Sequence, residues 1–305
     1  MGRAVIHDRF GGPEVLELRD VHEPHAGPGR VRVRVSAVGL NAMDPLITSD
    51  AAVAAGFGVR APAGFGTDFS GVVDEVGAGV SGYAVGDRVF GAAPGRAAAD
   101  HLVLDPDHDA LFRTPDGIGD EVACTLPVAG LTATAALAAI KPRPGDTVLI
   151  GGAAGGVGVF AVQLVRRAGA AVIGTASPGT FDFLRGLGAE PVAHGPGLAD
   201  RVRELGPPAV TAAADLFGVE AAEAALSLGV PPERISTIAA GPDPAGGVHA
   251  TGAGDAHPSD LRTITDAILE GELTVPVTTY PIDRIREAAA RQAERRVHGK
   301  IAVVL

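Results

Sequence analysis

The run Thr147-Val148-Leu149-Ile150-Gly151-Gly152-Ala153-Ala154-Gly155-Gly156-Val157-Gly158 constrains this chain more than any other stretch. An apolar segment of buried-strand length breaks into glycine and alanine, then gives way to Val157, Val159, Phe160, Val162, Leu164 and Val165, which suits a buried or half-buried helix. The pattern predicts strand, tight turn and helix. Gly152, Gly155 and Gly158 stand three apart, and their missing Cβ atoms let backbone N–H groups and a helix N-terminus approach a pyrophosphate closely. Gly169 offers the helix a stop, and Ala171-Val172-Ile173-Gly174-Thr175 supplies a second strand. A glycine-rich turn alone signifies little; in this setting it predicts a dinucleotide site.

A chain of 305 residues has room for two domains with sizeable cores. Its 46% apolar and 20% charged content are those of an ordinary globular protein. The net charge of -11 argues against a nucleic-acid or anionic-membrane partner, because an acidic surface is repelled by both. One cysteine, Cys124, excludes an intramolecular disulfide and a cysteine-rich zinc site, and its apolar helical surroundings mark it as core. The single cysteine makes a reducing cytoplasm the expected setting; no apolar run is long enough to span a bilayer, and Met1-Gly2-Arg3-Ala4-Val5 is expected to start a strand rather than a signal peptide. The basic residues are nearly all arginine, with Lys141 and Lys300 the only lysines.

Arg30-Val31-Arg32-Val33-Arg34-Val35 alternates strictly, which puts its valines in a core and its arginines on a solvated face. Gly71–Val76, Asp87–Phe90 and His101–Leu104 are further short strands, so the first third is β-rich. Val122 to Ile140 is helical, with Pro127 and Gly130 interrupting its start. After the turn-rich connector Lys141–Asp146, strands and helices alternate as in right-handed βαβ units. Toward the end, helices are expected at Pro258–Glu270 and Ile282–Arg295, and strands at Leu273–Val277 and Lys300–Leu305. The expected division is a discontinuous β-rich catalytic domain of residues 1–120 and 266–305 and a doubly wound parallel-sheet domain of residues 121–265, with an active cleft between them.

Several pieces together carry a resemblance: Phe10-Gly11-Gly12-Pro13-Glu14-Val15-Leu16, Val38-Gly39-Leu40-Asn41, Asp68-Phe69-Ser70-Gly71, Val85-Gly86-Asp87-Arg88-Val89-Phe90-Gly91, Leu126-Pro127-Val128-Ala129-Gly130-Leu131-Thr132-Ala133, the glycine turn, and Gly299-Lys300-Ile301. In this order and spacing the chain resembles a zinc-independent member of the medium-chain dehydrogenase/reductase superfamily, in the quinone oxidoreductase and enoyl reductase branch. The resemblance implies a GroES-like β-rich catalytic domain, a Rossmann domain, a homodimer and NADP(H). It places Asn41 and Thr132 near the nicotinamide and assigns the pyrophosphate to Ala153, Ala154, Gly155, Gly156, Val157 and Gly158. Asp44 falls where the family often has an acidic residue near the cleft; a turn or helix-capping carboxylate ahead of Pro45 is the equally simple reading.

Zinc-using relatives hold the metal with cysteine, histidine and an acidic residue, because it must carry the charge of an alkoxide. The corresponding positions here read Leu40-Asn41-Ala42 and Gly66-Thr67-Asp68, so no metal is expected. Without one, hydride delivery to an enone or quinone is favoured over an isolated ketone, since the product charge is delocalised and hydrogen-bond donors suffice. The second strand ends Gly174-Thr175-Ala176-Ser177 with no carboxylate until Asp182, which favours NADPH over NADH. Thr175, Ser177, Thr180 and Arg185 are candidate neighbours of that end of the coenzyme; capping of the next helix is the alternative for Ser177 and Thr180. Phe217 and Ala240 follow presumed strand ends, where ligands dock.

Departures from the family include Gly179 where an arginine is common, Pro45 in place of an aromatic residue, and Ala98 where a tyrosine is frequent. His101 is then either a proton donor or a histidine satisfied by its strand neighbours. The reading is a cofactor-dependent reductase of a small conjugated carbonyl or quinone. The alternatives are a reductase or dehydrogenase of a specialised bacterial metabolite, a redox-neutral cyclase or isomerase, and a catalytically silent nucleotide-binding protein.

Overall fold

The computed structural model describes residues 1–305. It opens with β1 (Gly2–His7), β2 (Glu17–Val21) and β3 (Val31–Leu40), followed by α1 (Met43–Ser49), α2 (Ala51–Gly56), β4 (Ala63–Gly64), β5 (Asp68–Val76), β6 (Arg88–Ala92), β7 (His101–Leu104), β8 (Ala110–Arg113) and α3 (Asp120–Ala123). Then come α4 (Pro127–Ile140), β9 (Thr147–Gly151), α5 (Gly158–Arg167), β10 (Ala171–Ala176), α6 (Phe181–Gly186), β11 (Glu190–Ala193), α7 (Leu198–Glu204), β12 (Ala212–Asp215), α8 (Glu220–Ser227), β13 (Ile235–Thr237), β14 (His249–Ala250) and α9 (Asp260–Leu269). The chain closes with β15 (Val277–Pro281), α10 (Ile285–Ala293) and β16 (Lys300–Val304). No helix is long and apolar enough to cross a membrane.

Two units result, one of Met1–Val128 with Val277–Leu305 and one of Ala129–Pro276. In the first, β2-β1-β4 forms a small sheet and β15-β16-β3-β5-β6-β8 a larger one, with β7 also pairing β3. The strand β3 is its centre. Val31, Val33 and Val35 are buried, as alternation requires. Arg32 departs from the expected solvated face: its side chain is 12% exposed and donates to Asp74 at 2.8 Å and to Glu23 at 3.0 Å. The reason is register, since Arg32 lies opposite Glu75 and the acidic end of β5 closes over it.

The first unit extends past residue 120 because α3 is fastened to it. Ser70 Oγ donates to the Asp120 carbonyl at 2.8 Å, Arg88 bonds Asp120 at 2.6 Å, and Ala123 and Cys124 are fully buried. Helix α9 stays with the second unit, where Ile264 and Leu261 press on Gly130. The strand expected at Leu273–Val277 forms instead at Val277–Pro281, paired in parallel with β16. Thr274 needs no strand partner. Its N–H donates to Gln163 Oε1 and its carbonyl accepts from Gln163 Nε2, both at 2.9 Å, while Leu273 is buried.

The second unit is a parallel sheet in the order β11-β10-β9-β12-β13-β14. Strands are added outward from β9 in one direction and from β12 in the other, so the turns after β9 and β12 meet at the switch point. Its core is aliphatic and alanine-rich, including Leu149, Ile173, Val192, Ala213, Ala225 and Ile235.

In β3, Gly39 lies opposite Asp68 and Ala302, and a Cβ there would come within 1.9 Å of the Cys124 carbonyl oxygen. Gly39→Ala is therefore expected to destabilise the protein by about 1–3 kcal/mol through overpacking, measured by urea unfolding. An unchanged midpoint and slope would contradict that packing.

Candidate functional site

Two clusters of polar groups stand out, one in each unit. In the second, β9 ends at Gly151 and the chain turns through Gly152, whose φ of 68° is a left-handed conformation that suits glycine. Thr175 holds the turn from β10: its hydroxyl accepts from the Gly152 N–H at 3.0 Å and its carbonyl from the Ala153 N–H at 3.3 Å. The N–H of Gly155 folds back on the Gly152 carbonyl. That leaves the N–H groups of Ala154, Gly156 and Val157 without a protein acceptor, at the start of a helix with no side-chain cap. Free N–H groups and the positive end of α5 form a seat for an anion. Gly158 makes it possible, because a Cβ there would stand 2.4 Å from the Gly152 carbonyl oxygen and 2.5 Å from that of Ala153.

Asp215, which sequence reasoning missed, organises the other side of the switch point. At the end of β12 and opposite Gly151, its Oδ1 accepts from the N–H groups of Phe217 and Gly218, and its Oδ2 from those of Ala221 and Ala222. One buried carboxylate thus ties down the loop and the first turn of α8. Phe217 is half exposed, and its Cβ would be 2.8 Å from a Cβ on Gly152. Its signal was an acidic residue closing a buried strand ahead of a helix. The Ala240 N–H donates to Thr237 Oγ1 at 3.3 Å.

Of the residues expected at the far end of the coenzyme, Ser177 and Thr180 flank a short 3-10 turn, and neither side chain caps it or the helix that follows. Ser177 Oγ lies 3.2 Å from His194 Nε2, an imidazole that the sequence did not single out. Arg185 is turned onto Asp182 at 2.8 Å and over the Phe181 ring. Both members of that pair are largely exposed, so the arginine is free to exchange partners at little cost.

In the first unit the ends of β3, β5 and β16 bring together Asn41, Asp44, Thr67, Asp68 and Lys300, all buried. Lys300 Nζ donates to the Leu40 carbonyl at 2.9 Å and to Asn41 Oδ1 at 2.5 Å. Asn41 Nδ2 donates to Asp68 at 2.8 Å, and Asp68 also accepts from the Val128 N–H. Both Asp44 oxygens are occupied, by the Asn41 N–H at 2.7 Å and the Thr67 hydroxyl at 2.6 Å. Asn41 and Asp44 are thus in one network. Thr132 sits on α4 in the other unit, 7% exposed. His101 Nε2 is 3.4 Å from Asp74 and its Nδ1 is buried without a partner.

Burial pushes the Asp44 carboxyl up to about 6, with Thr67, Asn41 and the Lys300 charge pulling the other way. Burial likewise pushes Asp68 up to about 7 against Lys300 and Asn41, and lowers Lys300 against the two carboxylates. The Cys124 thiol beside them is pushed above its usual range by burial. One ammonium among two buried carboxylates leaves room for an extra proton near neutrality.

The residues do not fit a zinc ion. No group of three or more histidine, cysteine, aspartate or glutamate side chains is placed to hold a metal, and an ammonium already stands among the carboxylates. They do fit a dinucleotide, through the free N–H groups at the β9–α5 turn.

A glycine turn at the switch point of a parallel sheet, in a chain that also holds a β-rich unit, defines a nucleotide-binding fold of the two-domain dehydrogenase type. Residues 27–172 match the alcohol dehydrogenase GroES-like domain family, and residues 187–303 match the zinc-binding dehydrogenase family. A quinone oxidoreductase of Pseudomonas aeruginosa is 39% identical over 58% of this chain and 53% of its own length. The pikromycin polyketide synthase component PikAII of Streptomyces venezuelae is 33% identical over 92% of this chain and 8% of its own length. The chain thus spans about half of one of these curated relatives and a small part of the other.

Among solved structures, the quinone oxidoreductase of Coxiella burnetii superposes with a TM-score of 0.85 at 28% identity, covering 100% of this chain and 99% of that one. An NAD-dependent alcohol dehydrogenase gives 0.85 at 30%, covering 99% of each chain. A mycobacterial protein complexed with NADPH gives 0.85 at 27%, covering 100% of both. This chain belongs to the medium-chain dehydrogenase/reductase superfamily, in its quinone oxidoreductase and enoyl reductase branch, with GroES-like and Rossmann units.

Two outcomes follow. Gly158→Ala is expected to weaken nucleotide binding on the order of tenfold or more, read by quenching of NADPH fluorescence, since the turn must shift to admit the methyl group. Unchanged affinity would contradict the seat. Asp68, raised to about 7 in the fold from 3.8, favours the folded state most when protonated. That contribution is full below about pH 4 and lost as pH rises through about 7. Asp68→Asn is therefore expected to gain stability relative to the parent across that window in urea unfolding, and a pH-independent difference would contradict the assignment.

Proposed function

We propose that this chain is an NADPH-dependent reductase that delivers hydride to a conjugated carbonyl or a quinone without a metal ion. The observation that carries the reading is the seat of unpaired N–H groups at Ala154, Gly156 and Val157 on an uncapped helix. When bound there, the coenzyme supplies the hydride. The protein binds its pyrophosphate through the backbone of residues 153–158, and Thr175 holds the start of that turn while Asp215 fixes the loop that follows β12. Ser177, Thr180 and Arg185, now joined by His194, serve the 2′-phosphate end, with Arg185 released from Asp182 to do so. Phe217 and Ala240 border the coenzyme at the ends of β12 and β13.

For the substrate, Asn41 and Thr132 supply hydrogen bonds, and Asp44 secures the Asn41 backbone. A conjugated acceptor suits this set because its reduced form spreads the negative charge, so neutral donors suffice where an isolated ketone would need a Lewis acid. The relative complexed with NADPH and the quinone oxidoreductases among the relatives support the reading. The proposal includes a homodimer, on the family resemblance, and a cytoplasmic setting, on the single cysteine.

Stopped-flow absorbance of the nicotinamide band, with a panel of quinones and enones, tests the proposal. The expected result is oxidation that requires both protein and acceptor, faster with NADPH than with NADH. Coenzyme binding with no turnover across the panel would overturn it in favour of a silent or redox-neutral protein.

A further inference from the structure

Asn41 is the only asparagine among 305 residues, and Lys300 is one of only two lysines. The fold buries both and bonds them to each other. The chemistry of the partners fixes how the carboxamide is turned. An ammonium only donates, so the atom 2.5 Å from Lys300 Nζ is the amide oxygen, and the atom 2.8 Å from Asp68 is therefore the amide nitrogen. Lys300 and Asp68 form no direct ion pair, and the amide spans them with its dipole aligned in their field. A positive charge at the oxygen and a negative charge at the nitrogen favour the charge-separated amide resonance form, which strengthens the remaining N–H as a donor. Lys300 occupies the amide oxygen, and Asp68 takes one of the two Nδ2 hydrogens. What Asn41 has left is a single N–H.

We infer that Lys300 and Asp68 are positioning residues that hold Asn41 by both ends of its carboxamide, so that Asn41 offers the substrate carbonyl oxygen one polarised N–H donor. This rests on the reductase reading. It also gives the buried lysine a purpose that packing does not, because an apolar side chain at position 300 would avoid the cost of desolvating an ammonium. The ammonium comes from the last strand, and its distance in sequence from Asn41 hid the pair from sequence reasoning.

A single asparagine makes the test direct. Protein labelled with 15N on asparagine side chains has one NH2 pair in its NMR spectrum. In the parent, with oxidised coenzyme and an unreactive saturated ketone bound, one proton of the pair is expected to shift downfield while the other stays. Lys300→Met is expected to move the nitrogen resonance even without ligand and to lower kcat about 10- to 100-fold at unchanged KM for NADPH. Lys300→Gln, which keeps a donor for the amide oxygen, is expected to recover part of the rate and serves if the methionine variant does not fold. A folded Lys300→Met with parental kcat, a glutamine variant no better than methionine, or an NH2 pair indifferent to both the substitution and the ketone would overturn the inference. If the parent shows no acceptor-dependent oxidation of NADPH, the reductase reading fails, and the unliganded NMR shift still decides whether Lys300 holds the amide.

Discussion

The close approach of Gly158 to the carbonyls of Gly152 and Ala153 is the contact on which the nucleotide-binding unit depends. It brings the first turn of α5 against the end of β9, and the consequence is electrostatic. Backbone N–H groups that would otherwise be shielded by side chains or folded into the helix are left facing outward, together with the positive end of the helix. Thr175 holds the turn from the neighbouring strand β10, and on the other side Asp215 ties down the loop after β12, so both loops at the switch point are fixed by side chains. Pre-organisation of this kind spares a ligand the cost of ordering a loop.

The β-rich unit solves a different problem, that of putting charge inside a sheet. Lys300, Asp68 and Asn41 come from the adjacent strands β16, β5 and β3 or just beyond the end of the last, and the register that pairs Ile301 with Leu40 and Gly39 with Asp68 is what places them together. Breaking such a cluster leaves an uncompensated buried charge, whereas an all-apolar replacement would fold comfortably. Its persistence as a network is better explained by what it does to Asn41 than by stability.

Much of this was legible in the residues. Alternation around Val31–Val35, the glycine spacing after Ile150 and the βαβ rhythm that follows are local signals that the fold obeys. Helices α1 and α2 went unread, although Asp50 ahead of an alanine run is an N-cap signature and accepts from the Ala52 and Val53 N–H groups. The strand at Val277–Pro281 was displaced by the side chain of Gln163, which satisfies the preceding backbone from 111 residues away. Lys300 and Asp68 were visible only as parts of motifs. Partnerships set by sheet register, such as those of Asn41 with Lys300, Arg32 with Asp74 and Ser177 with His194, have no local signature at all.

The central claim is that a phosphorylated nicotinamide coenzyme lies with its pyrophosphate on the N–H groups of Ala154, Gly156 and Val157. A crystal structure of the protein grown with NADPH measures this directly. The account predicts phosphate oxygens within hydrogen-bond distance of those nitrogens, with the 2′-phosphate on the Ser177 side. Coenzyme density seated elsewhere, or a turn that remains empty at saturating NADPH, would contradict it.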